Sequence, residues 1–100
     1  MNPMKMIQQA QQMQKALQKV QDELANKEVT GTSGAGAVTV TMTGKSEVRR
    51  VKLSAEVVDK NDIETLEDLI TAAVNDAQTK AFDLAQSEMK KVTGGMNLPF

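Results

Sequence analysis

Apolar residues recur along the first quarter of the chain at helical spacing. Met6, Ala10, Met13, Leu17, Val20 and Leu24 are separated alternately by four and three positions, which lines them along one side of a helix. Lys5, Gln8, Gln12, Lys15 and Lys19 fall together on roughly the opposite side at about 3.6 residues per turn. Asn2 is placed to cap this helix, and Pro3 suits a first turn whose N–H groups lack partners anyway. The helix is predicted to end at Ala25 or Asn26, roughly 35 Å from its start at the standard rise. Its stripe is narrow, with the period of a coiled-coil seam, and a lone helix of this kind needs a packing partner.

The rhythm then changes to alternation. Residues 28–32 read as a first strand, and Ser33, Gly34, Ala35 and Gly36 as a turn. Over residues 37–43, Val38, Val40 and Met42 alternate with Thr39, Thr41 and Thr43. One face is apolar and one is hydroxyl-lined, which predicts a sheet covered on one side only. Gly44, Lys45 and Ser46 make the next tight turn. In the third strand, residues 48–53, Val51 and Leu53 share one face and Arg50 and Lys52 the other. Val48 falls on the basic face, a break in register that admits a bulge. Turns this short imply an antiparallel three-stranded meander. Gly34-Ala35-Gly36 precedes a strand, not the helix of a dinucleotide-binding loop, and so reads as a hairpin turn.

Helical spacing returns after a short turn at residues 54–58. Asn61 followed by Glu64 has the form of a capping box. A second helix is predicted over residues 62–92, roughly 45 Å long. Ile63, Leu66, Ile70, Ala73, Val74, Ala77, Ala81, Leu84 and Ala85 form a broad apolar band whose alanines allow a neighbouring backbone to come close. Lys90 and Lys91 suit the negative end of the helix dipole, and Gly94 and Gly95 are expected to stop the helix. Residues 93–100, ending MNLPF, read as a flexible apolar tail. The chain is thus predicted to be a single α+β domain over residues 1–100, in the order α-β-β-β-α. Antiparallel packing of the two helices through their stripes would bring Lys5 near Lys90 and Lys91, at the tip farthest from the sheet. Glu64, Glu67 and Asp68 would then lie near the sheet.

Composition sharpens this picture. Phe82 and Phe100 are the only aromatics, so Ala, Val, Leu and Met carry the packing. A second subunit becomes a natural way for so short a chain to gain buried area. There is no cysteine and no histidine. Disulfides, thiolate metal sites and the usual neutral-pH general base are absent with them. No catalytic residue, metal site or cofactor is assigned, and the chain does not read as an enzyme. No run approaches the roughly 20 apolar residues of a membrane span, and the N-terminal stretch, with Lys5 but no pure apolar core after it, does not read as a secretory signal, so a cytoplasmic location is expected.

Formal net charge is -1, which on totals argues mildly against nucleic acid. The distribution argues otherwise. Residues 1–21 hold Lys5, Lys15 and Lys19 and no acid, while Lys45, Arg49, Arg50 and Lys52 cluster against Glu47. Glu56, Asp59, Asp62, Glu64, Glu67 and Asp68 face only Lys60. Such segregation makes local basic surface on an acidic chain. The acids are read as capping and solvating groups at the start of the second helix rather than as a metal or paired-carboxylate site.

GTSGAGAVTVTMTGKSEVRRVKL, LEDLITAAVNDAQTKA and TGGMNLPF, together with the Met/Gln/Lys-rich first helix, resemble the YbaB/EbfC family of bacterial nucleoid-associated proteins. The resemblance covers almost the whole chain. Its most specific parts are LEDLI-x-AAVNDA and TGG-x-NLP; Arg49-Arg50 departs from the small or apolar pair expected there. The resemblance implies a tweezer-like homodimer that binds double-stranded DNA with its helical arms. It further implies a place at the nucleoid, with effects on DNA organisation or transcription. Lys5, Lys15, Lys19, Lys90 and Lys91 would then meet phosphates, and Gln8 and Gln12 phosphates or base edges. No zinc finger, helix-turn-helix or aromatic stacking surface is evident, so low sequence specificity is expected. Lys45, Arg49, Arg50 and Lys52 form an alternative DNA-binding surface. A different class also fits the pattern: an interaction module that docks a DNA-processing protein through its helix stripes or tail and has no affinity for DNA.

Overall fold

The computed structural model describes residues 2–93. They form a long helix, α1 (Pro3–Asn26), three strands, β1 (Glu28–Ser33), β2 (Val38–Thr43) and β3 (Val48–Leu53), and a second long helix, α2 (Ile63–Thr93). The fold is α+β in the predicted order. Its extents are 70 × 24 × 16 Å and its radius of gyration is 19.4 Å, against about 13 Å for a compact chain of this length. The excess comes from helix reaching beyond the sheet.

Local chemistry sets the element ends. The Asn2 side chain accepts a hydrogen bond from the Met4 amide at 3.0 Å, and Pro3 opens α1. Lys27 turns extended, with φ -86° and ψ 146°, and its N–H closes the last turn on the Glu23 carbonyl. At the start of α2 the cap is Asp62 and not Asn61. Asp62 accepts from the Thr65 hydroxyl at 2.7 Å and from the Thr65 amide at 3.4 Å. Asn61 instead donates its amide to Asp59. Thr93 belongs to the helix, and its hydroxyl bonds the Met89 carbonyl. The expected helix stop at Gly94-Gly95 and the rest of the expected tail lie outside the described residues.

The sheet has the order β1-β2-β3, antiparallel throughout. Thr41 pairs with Arg50, whereas Met42 pairs with Val48, so Arg49 is the extra residue of a bulge. The bulge restores what simple alternation denied: Val48 returns to the face that carries Val51 and Leu53, opposite Met42, Val40 and Val38.

α2 lies across β1 and β2. Val38, Val40 and Met42 are fully buried beneath Ala73, Ala77 and Ala81, which are fully buried themselves. The closeness of the two layers depends on Gly31. A Cβ there would overlap the Ala77 nitrogen and the Ala73 carbonyl oxygen and lie 2.7 Å from the Ala77 Cα. The alanine band therefore meets the sheet, where α1 had been the expected neighbour. Apolar burial of this kind is worth about 1.5–3 kcal/mol per large side chain, which makes this layer the main source of stability.

The other face of β2 is less open than alternation implies. Thr41 is 8 % exposed and Thr43 only 1 %. The Thr43 hydroxyl accepts from the Lys45 and Glu47 amides, both at 3.2 Å, and so stitches the β2–β3 turn. α2 does not shelter β3, every residue of which is exposed.

Candidate nucleic-acid interface

α1 is held at one end. Only Val20 and Leu24 are buried along it. Leu24 fits against Gly44, whose amide donates to both the Leu24 and Lys27 carbonyls at 3.0 Å. A Cβ on Gly44 would lie 2.8 Å from Leu24 Cδ2, so the glycine is what lets the helix end seat on the turn. Toward the other end, residues 2–12 are all exposed. The apolar stripe thus splits: its last members are core, while Met6 is 53 % exposed. Neighbouring Met4 and Ile7, outside the stripe, are 70 % and 57 % exposed.

The exposed length is chemically uniform. No acid occurs between Pro3 and Asp22, and the first helical turn carries none to offset the positive helix end. Lys5, Gln8, Gln12, Lys15 and Lys19 are all solvent-exposed. They share one broad face, within about 80° of arc at 3.6 residues per turn, and its flanks border different grooves. Lys15 lies in a shallow groove with Gln11, Gln14 and Gln18. Gln12 lines a different groove with Gln9, Met13, Ala16 and Val92, against α2. Lys19 borders the junction of the two helices with Glu23, Glu88 and Lys91. These grooves flank a single basic face of the arm, on the side expected from the helical spacing.

α2 runs antiparallel to α1 and supplies the junction. Val92 reaches only the level of Gln9 to Ala16. Lys5 stands about 10 Å further out than Gln12 at the helical rise. The expected tip cluster of Lys5 with Lys90 and Lys91 is thus not formed by the described residues. Lys91 bonds Glu88 at 3.3 Å, while Lys90 is exposed beside a groove formed by Phe82, Ala85, Gln86, Met89 and Thr93.

Sequence reasoning did not single out Glu88. It is 7 % exposed and joins Lys27 at 2.8 Å. The hydrogen bond from Lys27 holds its carboxyl below the ordinary 4.5, helped by Lys91, and the same bond raises the Lys27 ammonium. The cluster ties α2 to the hinge where α1 becomes β1. A signal was present: Glu88 continues the spacing of Ala73, Ala77, Ala81 and Leu84, so a carboxylate falls in register with the buried side.

A second unforeseen pair occupies part of the outer edge of β1. The Thr32 amide donates to Asp76 Oδ2 at 3.0 Å, Lys80 Nζ donates to the Thr30 carbonyl at 2.9 Å, and the two side chains meet at 3.1 Å. The Thr32 hydrogen bond, with Lys80 assisting, depresses the Asp76 carboxyl.

On the sheet, Arg49 donates to the Ala25 carbonyl at 3.3 Å, and Arg50 lies 3.9 Å from Glu28. Lys45 and Lys52 are exposed. Among the described residues no group of acids is placed to hold a metal ion, and no helix is long and apolar enough to cross a membrane.

Comparisons with known proteins bear on the family and the fold. The chain is 52% identical over 94 residues to a nucleoid-associated protein of Caldanaerobacter subterraneus subsp. tengcongensis, covering 94% of this chain and 85% of that one. It is 52% identical over 99 residues to a nucleoid-associated protein of Roseiflexus sp. (strain RS-1), covering 99% and 98%. The fold matches a crystal structure of an uncharacterized Helicobacter pylori protein with a TM-score of 0.72 at 18% identity, over 96% of this chain and 97% of that one. Residues 1–96 match the YbaB/EbfC DNA-binding family, and the chain belongs to that family.

Proposed function

We propose that this chain, as a single domain, is a nucleoid-associated protein. It acts as a homodimer in the cytoplasm, grips duplex DNA with low sequence specificity, and thereby affects nucleoid organisation and gene expression. The carrying observation is the exposed, acid-free length of α1 with Lys5, Lys15 and Lys19 along one face. A rod of this kind meets phosphates along a groove without presenting a fixed set of base-reading groups. Gln8 and Gln12 add hydrogen bonds, and Lys90 and Lys91 add charge where α2 joins the arm.

Binding to unrelated duplexes of equal length, measured by fluorescence anisotropy at two salt concentrations, tests this. Similar affinities that fall steeply with salt are expected. Lys5→Glu, Lys15→Glu and Lys19→Glu together are expected to weaken binding and to flatten the salt slope by about one unit per lost phosphate contact. Unchanged binding by that variant rejects the arm. If Lys45→Glu with Lys52→Glu abolishes binding instead, the sheet surface is the site.

Exposed Met4, Met6 and Ile7 support a second reading, because apolar groups on a solvated arm suit a protein partner. In that case the arm docks a DNA-processing protein, and wild type shows no affinity for DNA even at low salt.

A further inference from the structure

α1 stands on a narrow footing. Val20 and Leu24 are its only buried residues, and apolar contact holds two surfaces together without setting a direction between them. Directional ties are few. The Gly44 amide donates to the Leu24 and Lys27 carbonyls, and Arg49 donates to the Ala25 carbonyl. Both tie the root of α1 to the β2–β3 side of the sheet. Among the described residues, one polar tie runs from that root to α2: Lys27 Nζ donates to Glu88 Oε1 at 2.8 Å. Lys91 Nζ meets the same oxygen at 3.3 Å. Lys19 and Glu23 border the same junction.

Glu88 is a costly residue to bury. Its carboxylate loses hydration, and an apolar side chain of similar size would serve stability as well. What an ion pair adds is geometry, because its partners must meet at hydrogen-bond distance. Geometry matters here because α1 is a lever. Lys5 lies fifteen residues beyond Val20, about 22 Å at the helical rise. A tilt of about 10° at the root moves Lys5 by about 4 Å, more than the roughly 3.4 Å between successive phosphates along one strand.

We propose that Glu88 is a positioning residue for duplex binding. Through Lys27 it fixes the angle at which α1 leaves the body, and so the register of Lys5, Lys15 and Lys19 against phosphates. Lys91, three residues further along α2, steadies the carboxylate. The inference rests on the arm reading above, and it names a residue of α2 that governs the arm without belonging to its basic face. A rival role has the opposite sign. If Glu88 did no more than offset the charge of Lys27 and Lys91, removing its charge would tighten binding.

Fluorescence anisotropy of one duplex at two salt concentrations tests the role in binding, and paired spin labels test it without DNA. The chain has no cysteine, so Ile7→Cys and Thr79→Cys, both at exposed positions, place one label near the arm tip and one on α2. Labelled chain is diluted with unlabelled protein, so that each distance belongs to one chain, and circular dichroism checks folding. Glu88→Gln is expected to weaken binding about tenfold, to flatten the salt slope by about one unit and to broaden the label distance. Lys27→Met is expected to do the same, the double variant no more than either alone, and Lys27→Arg to keep wild-type binding and distance. Equal or tighter binding by folded Glu88→Gln, with the arm lysines still required, overturns the positioning role and leaves the arm reading intact. An unchanged label distance overturns it as well. If reversing the arm lysines changes nothing, the arm reading fails and this role with it. Should Glu88→Gln not fold, Lys27→Met against Lys27→Arg decides by the label distance, and equal widths overturn the proposal.

Discussion

Both helices are long, at 24 and 31 residues, and both show apolar periodicity, but the fold uses them differently. α2 is pressed onto the sheet through Ala73, Ala77 and Ala81, with Gly31 allowing its backbone to touch β1. α1 is pinned near its last two turns by Val20, Leu24 and Gly44, and over residues 2–12 it has no cover. An apolar stripe thus says where a helix can pack, not how much of it does. Small side chains on α2 give close contact over a long stretch. Long methionines and glutamines on α1 give a helix that is built out into solvent and anchored at one end.

This contrast is open to direct attack. Gly31→Val should do the most damage, since its side chain must force α2 from β1. A loss above about 4 kcal/mol is expected in urea denaturation, with no folded baseline in the limit. Leu24→Ala should cost about 3 kcal/mol by opening a cavity at the root of α1. Hydrogen exchange should then show α1 amides opening before those of α2.

Glu88→Gln should have a smaller effect and a distinctive pH signature. The folded carboxyls of Glu88 and Asp76 lie below their ordinary values. Their contribution is therefore complete above those values and is lost as pH falls through the folded ones. The Lys27 ammonium is raised, so its share is complete below its ordinary 10.5 and is lost as pH rises beyond that. Wild-type stability should be flat across neutral pH as far as these groups are concerned and decline in acid. Glu88→Gln should start lower and decline less.

The smallest effect belongs to the arm. Met6→Gln with Ile7→Gln should change unfolding free energy by less than about 0.5 kcal/mol, because both side chains already face water. A large loss would mean that residues 2–12 are packed in the assembled protein, and would make the two helices more alike than they are in the single chain.

The elements themselves were legible because each has a clean period and sharp turn chemistry: threonine alternation in β2, the Gly-rich turns, and the Asn2-Pro3 start. What could not be read was relative placement. The alanines of α2 announce close packing without naming the neighbour, and only the position of Gly31 in β1 chooses the sheet. The capping box was displaced by one residue because Asp62 and Asn61 both make acceptable caps and the Thr65 hydroxyl decides between them. Val48 is out of step with simple alternation, and only the bulge at Arg49 brings it into register. At the candidate site, the exposed lysines and glutamines of α1 could be named in advance. The fate of Lys91 could not, because it depends on Glu88, whose role appears only when Lys27 arrives from elsewhere in the chain.

The Asp76–Lys80 clasp on β1 has a further consequence. A sheet with two open edges can add copies without end, whereas one with a single open edge has no second site from which to grow. By engaging the Thr32 amide and the Thr30 carbonyl, the clasp makes this edge a poorer template for an added strand than an edge with every such group free.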